Sequence, residues 1–182
     1  MNGAVFESAS AVQPLILTLK LDDNSFQRLD ALRKEHFPRN RNVLDAHLTL
    51  FHALPAEKEA EVRAVLDEIC AQTPILKLEF PKLRSLGKGM AVEVDCEPLE
   101  ALRRELSSRF RLFLGPQDAQ RIRPHVTICN KVTPDAARAL FASLSKSWQP
   151  FEGRGEGLSL WRYLGGPWEG VAQWNFQLMT GE

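Results

Sequence analysis

The sequence predicts an α+β protein built from two pseudo-symmetric lobes, with antiparallel or mixed sheets lining a central cleft and helices on the outside. Two rounds of strand, helix, strand, helix and strand pair follow one another along the 182 residues. The segment HLTL, which begins at His47, returns as HVTI at His125, 78 residues later. Lobes of this size bury too little of a sheet alone, so we expect halves of roughly 14–96 and 90–182 to pack as one bilobal domain.

The first half is predicted from alternating and helical periodicities. It begins with a strand over residues 14–22, in which every second residue is leucine. A helix follows over 22–37, with Asn24 or Ser25 as its N-cap. The remaining elements follow in order: a basic loop over 38–42, a strand over 46–54, a helix over 55–72, and strands over 75–80 and 89–96.

The second half repeats this order. Thr133 followed by Pro134 is typical of a helix start, with threonine as the N-cap and proline at the first helical position. The predicted elements are a helix over 97–114, a polar loop over 115–123, a strand over 124–132, a helix over 133–148, and strands over 151–164 and 171–179.

The composition restricts the partners that we expect. Lys+Arg and Asp+Glu both number 23, whereas proteins that grip a long duplex are usually basic, so we expect no DNA duplex as a partner. We expect no membrane span or signal peptide, since neither pattern is present. The three cysteines form no C-x-x-C pair, which favours buried thiols, a cytoplasmic location and no metal. We expect a monomer.

The first repeated motif contains two histidines that alternation separates. Side chains alternate across a strand, so His47, Thr49 and Phe51 share one face, and His52 lies on the other with Leu48 and Leu50. His52 matches Asn130 by offset, and we interpret it as a structural residue at a strand end.

The second motif repeats the His-x-Thr pattern. His125 and Thr127 share a strand face and are expected to face the cleft together with His47 and Thr49. Two imidazoles in one cleft can act as general base and general acid, and two hydroxyls can hydrogen-bond an oxyanion. This arrangement suits a phosphodiester substrate. Zinc is the competing use of histidine, but it requires three or four protein ligands, and only two symmetric ones are present.

The paired HLTL and HVTI motifs, with RPH leading into the second, resemble the two-histidine phosphoesterase superfamily. This superfamily includes proteins named 2′-5′ RNA ligases and RNA 2′,3′-cyclic phosphodiesterases. The resemblance implies a bilobal fold with a central cleft and no metal or other cofactor. It also implies that His47 and His125 are the acid/base pair and that Thr49 and Thr127 hold the phosphate. Asp45 departs from the usual residues ahead of the first histidine and could tune it.

Four further residues are candidates for substrate binding, each with a structural alternative. Arg123 could reach the phosphate or be a solvated residue at the strand start. Phe51 could stack on a base or belong to the core between the lobes. Tyr163 and Trp168, near Trp161, could form a nucleobase platform or pack structurally.

The first functional hypothesis is metal-independent hydrolysis of a 2′,3′-cyclic phosphate on an RNA end or a small nucleotide. The second is a 2′-5′ RNA ligase or 2′-5′ phosphodiesterase that uses the same residues. The third is a non-catalytic module that binds nucleotides or RNA. The sequence does not indicate which histidine is the base.

Overall fold

A computed structural model describes residues 13–178, over which the chain forms four α-helices and eight strands. The helices are α1 (Asp23–His36), α2 (Glu59–Cys70), α3 (Glu97–Phe110) and α4 (Pro134–Ser147). The strands are β1 (Leu15–Leu21), β2 (Leu48–Leu54), β3 (Leu76–Phe80), β4 (Leu83–Ser85), β5 (Met90–Glu93), β6 (His125–Cys129), β7 (Phe151–Tyr163) and β8 (Trp168–Asn175). The predicted α+β class is confirmed. The structure also contains three elements that the sequence analysis did not predict: short 3-10 helices at Arg39–Arg41 and Ala56–Lys58, and strand β4.

The N-caps of α1 and α4 are Asp22 and Thr133. Thr133 caps α4 as predicted, with Pro134 in the first turn. The prediction of Asn24 or Ser25 as the N-cap of α1 was wrong, because the cap is Asp22. Its carboxylate accepts from the Ser25 backbone N–H at 3.1 Å and from the Ser25 hydroxyl at 2.6 Å. The last residue of the predicted strand is therefore the residue that starts the helix.

The strands form two antiparallel sheets. The larger sheet has the order β2-β1-β7-β3, and β8 also pairs with β7. Strand β7 is 13 residues long, which allows its first part to pair with β3 and its last part with β8. The smaller sheet has the order β4-β5-β6. An isolated bridge between Glu79 and Asp95 connects the end of β3 with the segment after β5.

Sheet membership crosses the two sequence halves. The β7–β8 hairpin lies at the end of the chain, yet β7 pairs with β1 along seven residues of that strand. Strand β5 lies where the two halves overlap, and it pairs with β4 of the first half and β6 of the second. Each sheet thus combines strands of one repeat with strands of the other. The two halves are bound together by backbone hydrogen bonds as well as by side-chain packing.

A β-bulge interrupts β2 just after Thr49. Thr49 lies opposite Thr18 of β1, whereas Phe51 lies opposite Leu17, so β2 contains one residue more than β1 over this step. A bulge moves the following residues to the opposite faces of the sheet. Phe51 therefore turns into the core, where it is fully buried. The prediction that Phe51 shares the face of His47 was wrong because it assumed uninterrupted alternation.

Strand β6 has the same irregularity at the matching place. Thr127 lies opposite Ala91 and Cys129 lies opposite Met90, so the extra residue again follows the threonine. Cys129 turns into the core, with 1% of its surface exposed. His52 and Asn130 come next in the chain, and both line the same cavity. The prediction that His52 lies on the packing side was wrong for the same reason.

Candidate active site

His47 and His125 make the same contact with their own backbone. His47 directly precedes β2, and its Nδ1 lies 2.7 Å from the carbonyl oxygen of Asp45. His125 begins β6, and its Nδ1 lies 2.7 Å from the carbonyl oxygen of Arg123. Because a carbonyl only accepts, each Nδ1 carries the proton and donates it. Each ring therefore presents Nε2 for proton transfer, and Asp45 acts on His47 through its backbone.

Burial keeps both imidazoles neutral in the free protein. It lowers the pKa of His47 to about 4, and the charge of Arg33, with those of His125 and His52 when they are protonated, acts in the same direction. It also lowers the pKa of His125, with Arg84 and His52 adding to the effect.

The two threonines of the motifs are available for a ligand. Thr49 and Thr127 are partly exposed, and each lies two residues after its histidine, on the same strand face. Within residues 13–178, neither hydroxyl hydrogen-bonds another protein group. Each hydroxyl can therefore donate to an oxygen of a bound phosphate.

Two cavities meet at His47. The central cavity has a volume of about 540 Å³ and is lined from both halves of the chain, by His47, His52, Thr127, Asn130, Arg41 and Lys131 among others. The aromatic cavity has a volume of about 370 Å³ and is lined by Phe26, Trp161, Trp168, Lys20, Asp45 and Gln173 among others. Both volumes fall in the range of ligand sites, about 300–1,000 Å³. His125 and Thr49 belong to the same two motifs but lie outside these two linings.

The predicted substrate-binding residues divide into two groups. Trp168 lines both cavities, and its ring lies 4.7 Å from the ring of His47, while Tyr163 lines the central cavity. Phe51 is fully buried and packs edge-on against Phe110, so it cannot stack on a base. The Arg123 side chain is exposed and lies outside both linings, and its carbonyl contacts His125. The structure therefore corrects the substrate-binding prediction for Phe51, and that for Arg123 stays a prediction.

Arg33 is a site residue that the sequence did not reveal. Only 4% of its surface is exposed, and it lines the central cavity. It donates to the Thr127 carbonyl at 2.8 Å, to Asn42 Oδ1 at 2.9 Å and to the Leu44 carbonyl at 2.9 Å. Arg33 thus connects α1 to both motif-bearing regions. In the sequence it occupies a polar position of an amphipathic helix, which is typical of a surface residue.

His52 and Asp118 form a second contact that the sequence did not reveal. The Asp118 carboxylate is buried and lies 3.1 Å from His52 Nδ1. It also accepts the backbone N–H groups of His52 and Ala53, at 2.9 Å and 2.8 Å. Asp118 lies in a loop 66 residues away in the sequence, so no local pattern could connect the two.

Among residues 13–178, no group of three or more His, Cys, Asp or Glu side chains is arranged to hold a metal ion. Over the same residues, no helix is both long enough and apolar enough to cross a membrane.

Solved structures show the same fold. Protein TT0787 of Thermus thermophilus is 15% identical with a TM-score of 0.68, over 91% of this chain and 99% of that one. LigT of E. coli, in a crystal structure with 3′-AMP, is 16% identical with a TM-score of 0.61, over 91% and 98%. A structure described as a phosphoesterase is 18% identical with a TM-score of 0.59, over 91% and 98%. No curated protein sequence is significantly similar to this chain.

The family comparison agrees with the arrangement of the two motifs. The family described as the 2′-5′ RNA ligase superfamily matches residues 21–167, which is most of the chain and includes both His-x-Thr segments. The resemblance to two-histidine phosphoesterases is thereby confirmed, and the chain belongs to the 2′-5′ RNA ligase superfamily.

Proposed function

We propose that this protein hydrolyses a 2′,3′-cyclic phosphate, on an RNA end or a small nucleotide, by acid/base catalysis without a metal. The observation that carries the proposal is the matched pair of imidazoles. His47 and His125 hold the same tautomer and present Nε2, and the charge of a protonated His125 lowers the pKa of His47. LigT, which has the same fold, was crystallised with 3′-AMP, and this supports a nucleotide in the cleft.

The proposed reaction needs one neutral and one protonated imidazole. One Nε2 takes a proton from water as the water oxygen attacks phosphorus in line. The bond between phosphorus and one ribose oxygen breaks, and the other histidine donates its proton to that oxygen. Thr49 and Thr127 hydrogen-bond the non-bridging oxygens, where negative charge accumulates.

Substrate binding would create the required mixed protonation state. Both histidines have a lowered pKa in the free protein. A bound phosphodiester brings a negative charge into the same low-dielectric space, and a nearby opposite charge favours the protonated imidazole. The substrate anion therefore raises the pKa of the histidine that acts as the acid.

A substrate panel tests the proposal. The protein is incubated with EDTA and, separately, with 2′,3′-cyclic nucleotides, RNA ending in a 2′,3′-cyclic phosphate, ADP-ribose cyclic phosphate and 2′-5′ oligoadenylate. We expect the cyclic phosphate to open to a phosphomonoester, which phosphorus NMR detects. A variant lacking both His47 and His125 should show no turnover. Cleavage of the 2′-5′ linkage alone would favour the 2′-5′ phosphodiesterase. Binding without turnover of any compound would favour a non-catalytic module.

The cysteines support a reducing location for this activity. Cys70, Cys96 and Cys129 are all buried and unpaired. Free thiols persist in the cytoplasm, where disulfides are rare. We therefore place the proposed activity in the cytoplasm.

A further inference from the structure

The charge of the central cavity exceeds what one phosphodiester requires. Its lining contains three basic residues and two histidines but no carboxylate among the residues that the structure describes. The whole chain, in contrast, has equal numbers of basic and acidic residues. A cyclic phosphate carries one negative charge, and His47 with the two threonines can already bind it. Arg41 and Lys131 line the same cavity and form no ion pair with a described carboxylate, and His52 lines it with its Nδ1 against the buried Asp118.

His52 is held in place more firmly than a surface histidine. Its side chain is 44% exposed, yet its Nδ1 lies 3.1 Å from the Asp118 carboxylate, which is only 2% exposed. The carboxylate fixes the orientation of the ring, so that the rest of the imidazole faces the central cavity. Holding the bulge in β2 explains the contacts of Asp118 with backbone N–H groups. It does not explain why the imidazole lines the cavity with a buried carboxylate behind it.

Lys131 is held in a conformation that lysine rarely adopts. Its φ is 60°, in the left-handed region that disfavours residues with a Cβ. The Asn130 side chain accepts its N–H at 2.7 Å, and Arg41 donates to its carbonyl at 3.0 Å. Arg41 comes from the first half of the chain and Lys131 from the second. This cross-connection brings both basic residues into the lining of the central cavity, which His47 shares.

We infer that His52, Lys131 and Arg41 form a second anion subsite, so that the substrate carries another phosphate besides the one at the two histidines. The inference rests on the proposed function and specifies its substrate class: a phosphorylated nucleotide or oligonucleotide end, and not a nucleoside cyclic phosphate alone. The aromatic cavity, which His47 also lines, leaves room for the nucleoside.

Two substrates that differ by one phosphate test the inference. Adenosine 2′,3′-cyclic phosphate and its 5′-phosphorylated form are compared by kcat/KM. A hydrogen bond to a charged group is worth about 1.5–3 kcal/mol, so we expect the 5′-phosphate to raise kcat/KM about ten- to a hundredfold. His52→Asn and Lys131→Asn should each reduce this preference about tenfold or more. Asparagine tolerates positive φ, so the second change removes the charge without new backbone strain.

Matched variants outside the cavity serve as controls. His36→Asn on helix α1 and Lys88→Asn in the β4–β5 turn should leave the preference unchanged. Equal kcat/KM for the two substrates in the natural protein would overturn the inference. So would a His52→Asn variant that slows both substrates by the same factor, because that result would show a general effect on the fold or on the reaction.

A binding measurement separates failure of the subsite from failure of the proposed reaction. If neither compound is hydrolysed, the proposed function fails, and calorimetry with 2′-AMP and adenosine 2′,5′-bisphosphate then decides the subsite alone. Tighter binding of the bisphosphate, lost in His52→Asn, would support it. Equal dissociation constants for the two ligands would overturn it.

Discussion

The two motif histidines are held in the same tautomer by backbone contacts that have the same geometry. In each, Nδ1 donates to the carbonyl two residues earlier, so neither ring depends on a carboxylate for its orientation. A backbone acceptor fixes the tautomer without adding a full negative charge, which would favour the imidazolium in the free protein. Both pKa values therefore lie below the usual range, and under the proposed function the substrate anion would favour protonation of one ring.

Replacing either histidine should remove most of the activity and little of the stability. His47→Ala and His125→Ala are each expected to lower kcat by about two to four orders of magnitude, because a general acid or base contributes that much. Single-turnover rates with a cyclic-phosphate substrate measure the effect, and thermal unfolding checks the fold. His36→Ala is the matched control and should keep full activity. A loss of less than about tenfold in either motif variant would contradict the assigned roles.

The lowered pKa values of His47 and His125 predict an acidic pH optimum. The productive form has one imidazole protonated and one neutral, and kcat/KM reports the pKa values of the free protein. The pKa of His47 is about 4, and that of His125 lies below its usual 6.5. Above both values the protonated partner becomes scarce, so kcat/KM should fall about tenfold per pH unit from about pH 6.5 upward. A maximum of kcat/KM at about pH 7.5 or above would contradict the lowered pKa values of the two histidines.

At the scale of the elements, the bulges of β2 and β6 determine what the cleft contains. Each bulge follows the motif threonine and turns a nearby side chain, Phe51 or Cys129, into the core. Each also brings the residue after it, His52 or Asn130, to the central cavity. The extra residue after each motif threonine thus adds one polar group to the cavity lining while the core stays apolar.

Asp118 stabilises the bulge in β2 through its contacts with backbone N–H groups. We expect Asp118→Ala to lower the free energy of unfolding by about 2–4 kcal/mol, because it leaves two partly buried N–H groups without their charged acceptor. Urea titration, monitored by circular dichroism, measures the change in the free energy of unfolding. Asp135→Ala, at an exposed helix start, is the control and should cost less than about 1 kcal/mol. Equal costs for the two variants would show that the Asp118 contacts contribute little.

Periodicity predicted the elements because most of them bury one regular face. The leucines of β1 and the cap of α4 are local signals, and the His-x-Thr pair was visible because it occurs twice. The bulges were not predictable, since alternation gives no sign of where a strand gains a residue. The contacts of Arg33 with Thr127 and of Asp118 with His52 join residues 94 and 66 positions apart, so local sequence could not indicate them.

At the scale of the whole molecule, two buried arginines connect the halves reciprocally. Arg33 of α1 donates to the Thr127 carbonyl in β6 at 2.8 Å. Arg103 of α3 donates to the Leu50 carbonyl in β2 at 2.7 Å. Each arginine is only 4% exposed, and each holds the motif strand of the other half. The pseudo-two-fold relation therefore extends from the repeated motifs to the groups that position them.

Because each sheet combines strands from both sequence halves, we expect that neither half folds alone. A fragment of residues 1–96 lacks β7, so β1 and β3 lose the strand that lies between them in the larger sheet. Unpaired strand edges and an uncovered apolar face both disfavour folding. We expect this fragment and a fragment of residues 97–182 to show no cooperative thermal unfolding separately, and to recover it, together with the proposed activity, when mixed. Cooperative unfolding of residues 1–96 alone would mean that the first half packs independently. The β7–β8 hairpin would then not be required for its fold.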